Sequence, residues 1–310
     1  MVGSASELRV KQTGFVHFLR IFVRHRLGVV AAVCLLMLVS LALGAPLAAQ
    51  LLGTDATSVD LFARFDAPSM AHPLGTDELG RDVLLRLLYG GQISLSVGLI
   101  GALCAASIGT VIGLLAGYVG GALDTVLMRL TDAVISLPAL PLLIVLAALD
   151  LTKIGVSPEL ASSEHVSLLR IIAIVSIFGW TTVARLVRGA TLSMREREYV
   201  LAARALGARP HRVMAAHILP NVVSPIIIAT TLAVGNVILL ESVLSFLGLG
   251  IQPPLPSWGN MLTQAQDMIH HRPALALYPG VLIFITVLSF NFLGDALQDA
   301  LDPRTTSQRR

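Results

Sequence analysis

The residues of this chain that could do chemistry are few, and they do not form the sets that catalysis needs. A phosphate-binding loop requires a glycine-rich turn ending in Gly-Lys-Ser or Gly-Lys-Thr, and neither of the two lysines, Lys11 and Lys153, lies in such a turn. None of the eight histidines begins a His-Glu-x-x-His zinc motif, and we interpret the adjacent His270 and His271 as part of an interfacial loop. The sequence also offers no paired nucleophile and base. We therefore predict that the chain is not an enzyme and binds no metal or cofactor itself.

Glu241 is the clearest ionisable residue within an apolar stretch. A carboxyl group there is expected to face protein or a water-filled path and not lipid. Two interpretations stay open: a pathway or gating residue, or a structural hydrogen bond between helices or at a subunit interface. Asn236, five residues earlier, lies roughly half a turn away on a helix and need not share these surroundings, but we keep it as a second candidate pathway residue. We interpret Asp295, Asp299 and Asp302 as the polar end of a helix and not as an acid–base set.

A polar, arginine-rich segment from Glu198 to Pro220 separates two apolar stretches. Residues 194–206 are good helix formers, Gly207 suits a left-handed helix end, and Pro210 suits the first turn of the next helix. We predict a short helix that docks a soluble partner, because small alanines allow close approach; the alternative is a solvated amphipathic helix without a partner. The residues assigned to this docking surface are Glu198, Tyr199, Ala202, Ala203, Leu206, Gly207, Arg209, Leu219 and Pro220.

The elements that must position these residues are predicted to be membrane helices. Hydrophobic residues make up 55% of the chain and charged residues only 13%, where about a quarter is usual for charged residues in soluble domains. Uncharged stretches of about 20 residues can cross roughly 30 Å of hydrocarbon, and six of them predict an all-α protein with six transmembrane helices. They lie within 27–52, 87–123, 133–149, 166–187, 224–249 and 273–294.

The chain divides into four predicted regions. These are a 1–26 N-terminal segment whose residues 15–26 form an interfacial elbow helix, a 27–86 region with the first span and an external loop, an 87–297 core that includes the polar loop 188–222, and a 298–310 tail. The first span exceeds a signal-peptide apolar region, so we interpret it as a retained anchor. The external loop is expected to be compact, with Thr76 or Asp77 capping the helix that follows.

Small residues and prolines predict how the spans pack. Gly109, Gly113 and Gly117 repeat at a spacing of four, which puts them on one helix face and lets another helix approach closely. Pro138 and Pro141 are tolerated near the third span only as a helix start or a kink. Cys34 and Cys104 fall inside spans, where a thiol behaves as a small apolar packing residue.

Arginine and lysine residues predict the orientation, since cationic loops stay on the cytoplasmic side. With six spans, both termini share one side, and sixteen of the 22 arginines and lysines fall there, including those of the 188–222 loop. We therefore predict cytoplasmic N- and C-termini. The net charge of +3 follows from this bias, and the sequence has no stacking aromatics or soluble domain that would indicate nucleic-acid binding.

The motifs together resemble those of a known family. Ala202-Ala203, Gly207 and Leu219-Pro220 stand where the EAA loop of bacterial ABC importer permeases has its alanine pair, glycine and Leu-Pro. Leu201 and His217 depart from that pattern. Other matching stretches narrow the resemblance to the peptide and nickel importers, and within them to the shorter-loop permease; these are residues 72–82, 87–90, 94–95, 241–250, 256–259, 291–295 and 299–304.

The resemblance implies a type I ABC importer permease fold in the bacterial inner membrane, with the EAA loop receiving the ATPase. It implies four kinds of partner: membrane lipid, a homologous permease that forms a heterodimer with this chain, two ABC ATPase subunits that bind ATP and Mg²⁺, and an extracytoplasmic substrate-binding protein. The implied substrates are dipeptides or oligopeptides, with nickel or another small solute as the alternative. A secondary transporter driven by an ion gradient is a different class; a broken-helix repeat would favour it, and the sequence shows no convincing repeat.

Overall fold

The computed structural model describes residues 18–161 and 163–301. Over these residues the ordered elements are helices, joined by turns and one isolated β-bridge. Residues 18–24 are helical, whereas residues 15–17 of the predicted elbow helix lie outside the described part. In chain order the longer helices are α1 (Arg26–Leu43), α2 (Ala45–Leu52), α3 (Val83–Val119), α4 (Gly121–Ser136), α5 (Ala139–Ala147), α6 (Glu164–Arg195), α7 (Glu198–Ala205), α8 (Leu219–Phe246), α9 (Trp258–Ala265) and α10 (Ala274–Leu301).

Five helical segments of the described chain are long and apolar enough to cross a membrane. They are α1, α3, α6, the segment Pro210–Phe246 that contains α8, and α10. A sixth span is obtained when α4 and α5 cross as one pair, bent by 85° between them. The all-α, six-span prediction is confirmed with this bent third span. Pro138 forms the N-cap of α5, so the kink predicted from the prolines falls where α4 and α5 meet.

The helix ends of the first two spans differ from the predicted ones. The first span divides at Gly44, because Pro46 starts a new helix, α2, and cannot continue the backbone ladder of α1. The second span begins at Val83 and not at Leu87, since Asp82 caps α3 by accepting a hydrogen bond from the Leu85 N–H at 2.8 Å. The cap is therefore neither Thr76 nor Asp77. Consequently the region boundaries predicted at 86–87 and 297–298 fall inside α3 and α10.

The bundle is built around α3, whose contact with α6 is the most extensive between any two of the described helices. On its other sides α3 meets α8 and α1. The helix α1 contacts both α10 and α3: Gly28 lies against Ala296 of α10, and the Gln92 side chain of α3 donates to the Ala42 carbonyl at 2.7 Å. Many large apolar side chains remain exposed on these helices, as expected for surfaces that face lipid or other subunits.

Ion pairs fasten the bent third span to α6. The Arg188 guanidinium donates to both carboxylate oxygens of Asp124, one of them at 2.6 Å, and Arg185 pairs with Asp132. Since the two arginines lie on α6 and both aspartates on α4, the pairs hold α4 alongside one half of α6. Arg185, a charged residue inside the predicted span 166–187, thus has a carboxylate partner.

Candidate functional site

The polar loop between α6 and α8 forms a short helix set off from both. Helix α6 ends at Arg195, the chain turns through Glu196 and an extended Arg197, and α7 then runs from Glu198 to Ala205. The predicted helix over 194–206 is thus two helical pieces, because the extended Arg197 (ψ 142°) breaks the ladder. Gly207 follows with φ +81°, the left-handed conformation predicted for it.

One face of α7 is anchored to the bundle. Val200 is fully buried and belongs to an apolar cluster that includes Val187, Val213 and Val222. Polar contacts add to this anchor at the end of α3: Arg195 donates to the Gly117 carbonyl at 3.2 Å, and the Arg204 guanidinium lies 5.9 Å from the centre of the Tyr118 ring. Of these two arginines only Arg204 lies on α7, so α7 contacts the end of α3 through Arg204, whereas Arg195 joins the end of α6 to it.

Much of the rest of α7 is uncovered. Tyr199 is 44% exposed and Leu206 89% exposed, Ala202 is exposed, and Ala203 is partly buried. Glu198 and Arg209 are also exposed and add polar groups at the two ends of this surface. We call the residues Glu198, Tyr199, Ala202, Leu206 and Arg209 the α7 surface. Apolar side chains that none of the described residues covers, on an otherwise anchored helix, are typical of an interaction site.

The Leu-Pro pair starts the next span. Leu219 packs partly against the apolar cluster around Val200, whereas Pro220 is exposed in the first turn of α8. The turn before it, Met214–Ile218, is a π-helix, a widening that suits the missing backbone N–H of Pro220. His217 lies in this π-turn, and the Asn221 side chain donates to its carbonyl at 2.7 Å.

The glycine stripe of α3 lies against the backbone of α6. A Cβ atom added to Gly109 would come within 2.5 Å of the Trp180 carbonyl oxygen, and one added to Gly113 within 2.6 Å of the Ala184 carbonyl oxygen. At Gly117 a Cβ would meet Thr191 Cβ at 2.7 Å. The three positions therefore have no room for a side chain, and the stripe ends where Arg195 reaches the Gly117 carbonyl.

Glu241 lies at the opposite end of the bundle, fully buried among three segments of the chain. Its carboxyl group accepts hydrogen bonds from Ser245 at 2.7 Å and from Ser94 of α3 at 3.3 Å. Each serine hydroxyl also accepts a backbone N–H, from Ile251 and Trp258 respectively, both at 3.2 Å. Glu241 thus organises the junction between α3, α8 and the loop that follows α8. Asn236, in contrast, is exposed.

A second buried polar cluster at that end was not singled out from the sequence. Asp77 Oδ2 accepts from Arg81 at 2.8 Å and lies 3.3 Å from the Arg86 Nε, while the Gln264 side-chain oxygen accepts from both arginines, at 3.2 and 2.8 Å. The arginines are almost fully buried. The spacing of four residues between Asp77 and Arg81 suits a local ion pair. Nothing in the sequence, however, relates Gln264 to the 53–82 loop, which lies far from it along the chain. Over the described residues, no group of three or more His, Cys, Asp or Glu side chains is placed to hold a metal ion.

The helices that span the membrane and the anchored loop helix between two of them define a polytopic membrane protein with exposed apolar side chains on that loop helix. Residues 109–307 match the family of binding-protein-dependent transport system inner membrane components. The chain belongs to this family. It is therefore a permease component, a non-catalytic membrane subunit of a multicomponent transport system.

Several characterised permeases are similar along nearly their whole length. The glutathione transport system permease protein GsiD of Pectobacterium atrosepticum is 38% identical over 96% of this chain and 93% of its own length. The dipeptide transport system permease protein DppC of Alkalihalophilus pseudofirmus is 38% identical over 92% of this chain and 88% of its own. The oligopeptide transport system permease protein OppC of Bacillus subtilis is 35% identical over 91% and 87%. The family resemblance drawn from the motifs is confirmed.

Proposed function

We propose that this chain is one of two permeases in an ATP-driven importer of peptides, and that α7 couples its spans to an ATPase subunit. The α7 surface is the observation that carries the proposal: an apolar face, open on a helix whose other face is anchored by Val200. The relatives are named as permeases of glutathione, dipeptide and oligopeptide transport systems, and these names support a peptide substrate. The nickel or small-solute alternative has no comparable support.

The remaining partners follow from this role. A homologous permease completes the pathway, two cytoplasmic ATPase subunits bind ATP and Mg²⁺, and an external binding protein delivers the peptide. The cationic residues of the 188–222 loop support an orientation with this loop and both termini in the cytoplasm. The loops 53–82 and 247–273 are then external.

The proposed mechanism is alternating access driven from α7. Closure of the ATPase pair moves α7, and the contact of Arg204 on α7 with Tyr118 at the end of α3 passes the displacement into the spans. Arg195, the last residue of α6, joins α6 to the same end of α3. The glycine stripe keeps α3 and α6 in close contact, so the two helices move together. Because packed helices have discrete arrangements, a small shift can select between an outward-open and an inward-open pathway.

The decisive test places a charge on the α7 surface. Ala202 is exposed in this chain, so Ala202→Asp should leave its folding nearly unchanged, within about 0.5 kcal/mol. If an ATPase covers Ala202, the buried carboxylate opposes docking. We expect normal membrane levels and normal pairing with the second permease, but less copurified ATPase, loss of substrate-stimulated hydrolysis and loss of labelled-peptide uptake.

Ala71→Asp is the matched control, because Ala71 is exposed but lies in the 53–82 loop at the opposite end of the molecule from the α7 surface. It adds the same charge and should retain more ATPase than Ala202→Asp. Wild-type ATPase recovery and uptake in the Ala202 variant would refute the coupling role. If the unmodified transporter takes up nickel but no peptide, the assignment of a peptide substrate is refuted, whereas the coupling role of α7 is not.

A further inference from the structure

An apolar cleft lies between α1, α3 and α10 at the end of the bundle that carries the 53–82 loop. Its volume is about 340 Å³, and Trp258 of α9 and Leu74 of the loop close its inner side. The polar atoms of its lining side chains are the hydroxyl of Tyr278 and the indole N–H of Trp258, and the latter already donates to the Leu87 carbonyl at 2.9 Å. The remaining lining side chains are aliphatic or absent. Such walls provide almost no hydrogen-bond partners for a polar ligand.

The cleft is continuous with the surface that these helices turn toward the membrane. Leu41 of α1 and Leu277 and Val281 of α10 each line the cleft, and each is also 41% exposed or more. Exposed apolar residues continue from there along both helices, for example Val39 on α1 and Phe284 on α10. An apolar molecule can therefore pass from the hydrocarbon region into the cleft without crossing a polar barrier.

We propose that this cleft binds one acyl chain of a phospholipid from the leaflet bordering the 53–82 loop. If it stayed empty, the walls would lose van der Waals contacts that packed interiors normally make. Water is a poor occupant, because it needs several polar partners that the walls lack. A peptide is excluded on the same ground, since its backbone groups would remain unpaired. The acyl chain of the lipid would fill the gap between α1 and the α3–α10 pair and contact the indole of Trp258.

The test uses Trp258 as a reporter inside the cleft. The sequence contains two tryptophans, so Trp180→Phe leaves the indole of Trp258 as the single signal. The full chain is placed in vesicles of phosphatidylcholine with brominated acyl chains, because bromine quenches tryptophan on contact. Although Trp258 is 98% shielded by protein, we expect it to lose most of its fluorescence there and none to aqueous iodide.

Filling the cleft should abolish this effect. In the Trp180→Phe background, Leu88→Phe with Val281→Phe adds bulk from the α3 and α10 walls and should restore most of the lost fluorescence. The matched control, Leu140→Phe with Val145→Phe, makes the same exchanges at exposed positions of α5 and should leave quenching unchanged. Equal quenching in the two double variants, or no quenching in the parent, would overturn the proposal.

The assembled transport complex provides a second readout. A phospholipid with a diazirine near the middle of one acyl chain should crosslink to peptides containing Leu41 or Val281 in the complex, and this signal should fall several-fold in the Leu88→Phe, Val281→Phe variant but not in the control. A crosslink from a helix of the second permease at these positions would identify that helix as the occupant and overturn the lipid assignment. Labelling of the cleft by a free fatty acid but not by the phospholipid would also overturn the assignment to a phospholipid.

Discussion

The two ends of the molecule differ in which side chains they bury: one exposes apolar side chains, and the other buries polar ones. At the end with the 196–213 loop, α7 leaves Tyr199 and Leu206 open, although the helix itself is anchored. At the other end, charged and polar side chains are buried and bonded: Glu241 to two serines, and Arg81 and Arg86 to Asp77 and Gln264. One end leaves apolar surface for something outside the chain, whereas the other bonds most of its buried polar groups within the chain, with the Nη1 atom of Arg86 as an exception.

This difference separates coupling from stability. A residue whose partners all lie in the same chain affects transport mainly through folding, because its loss leaves a buried group unpaired. A residue with no partner in the chain affects folding little and acts through what docks there. Variants at the two ends should therefore separate two measurements, the thermal stability of the permease and its recovery of ATPase.

The largest expected effect is on stability, from Glu241→Ala. The change removes the acceptor of two hydroxyl groups in a fully buried site and leaves a cavity, at a cost of about 3 kcal/mol or more. We expect a much lower thermal midpoint of the purified permease and less protein in the membrane, with ATPase recovered in proportion to the folded protein.

Glu241→Gln is the matched variant, since the amide keeps the size and one acceptor oxygen. It should lose about 1 kcal/mol and retain most uptake. A stable Gln variant with little uptake would show that the carboxyl group acts in the pathway, and would return Glu241 to the gating interpretation that the sequence left open.

The sequence predicts this end of the molecule only in part. That a carboxyl group at position 241 avoids lipid follows from its cost in hydrocarbon, and that Asn236 lies elsewhere follows from the helical repeat. Ser245 lies one helical turn after Glu241 and is a local partner. The Ser94 partner does not follow, because Ser94 comes from α3 and also accepts the Trp258 N–H, contacts between segments far apart in the chain. The same holds for Gln264, whose partners are fixed by how the external loops fold together.

The loop end is more predictable because its signals are local. The left-handed Gly207, the proline at the start of the next helix and the glycine stripe depend on backbone conformation and short spacing, and each lies as predicted. The exposed Leu206 is different, since apolar residues usually pack inside a fold. Its exposure depends on where α7 leaves the bundle, which is set at the extended Arg197. Local chemistry thus predicts the elements, and only tertiary structure shows what they leave open.

An intermediate loss of stability is expected from Gln264→Leu. The substitution removes an oxygen that accepts from two buried guanidinium groups, at a cost of about 2 kcal/mol. The thermal midpoint should fall, while ATPase recovered per folded permease stays unchanged. Gln266→Leu is the control: Gln266 is exposed in the next turn, so the same exchange should have almost no effect. An equal loss of stability in both variants would mean that the arginine cluster contributes nothing.

A small change in stability, but a clear effect on coupling, is expected from Gly207→Val. Gly207 has φ +81°, and no atom of the described residues lies within 4 Å of an added Cβ. A valine there therefore clashes with none of them and costs only about 1–2 kcal/mol of backbone strain. That strain favours a different backbone path after α7 and so redirects the α7 surface. We expect near-normal membrane levels with less copurified ATPase.

Gly53→Val supplies the comparison that isolates coupling from strain. Gly53 ends α2 at the opposite end of the molecule with φ +66°, and its added Cβ would also meet open space. Both variants should therefore lower the thermal midpoint by similar amounts. If α7 receives the ATPase, only the Gly207 variant loses ATPase and substrate-stimulated hydrolysis. Should both variants lose them equally, the strain acts through general folding, and the division between a coupling end and a stability end would fail.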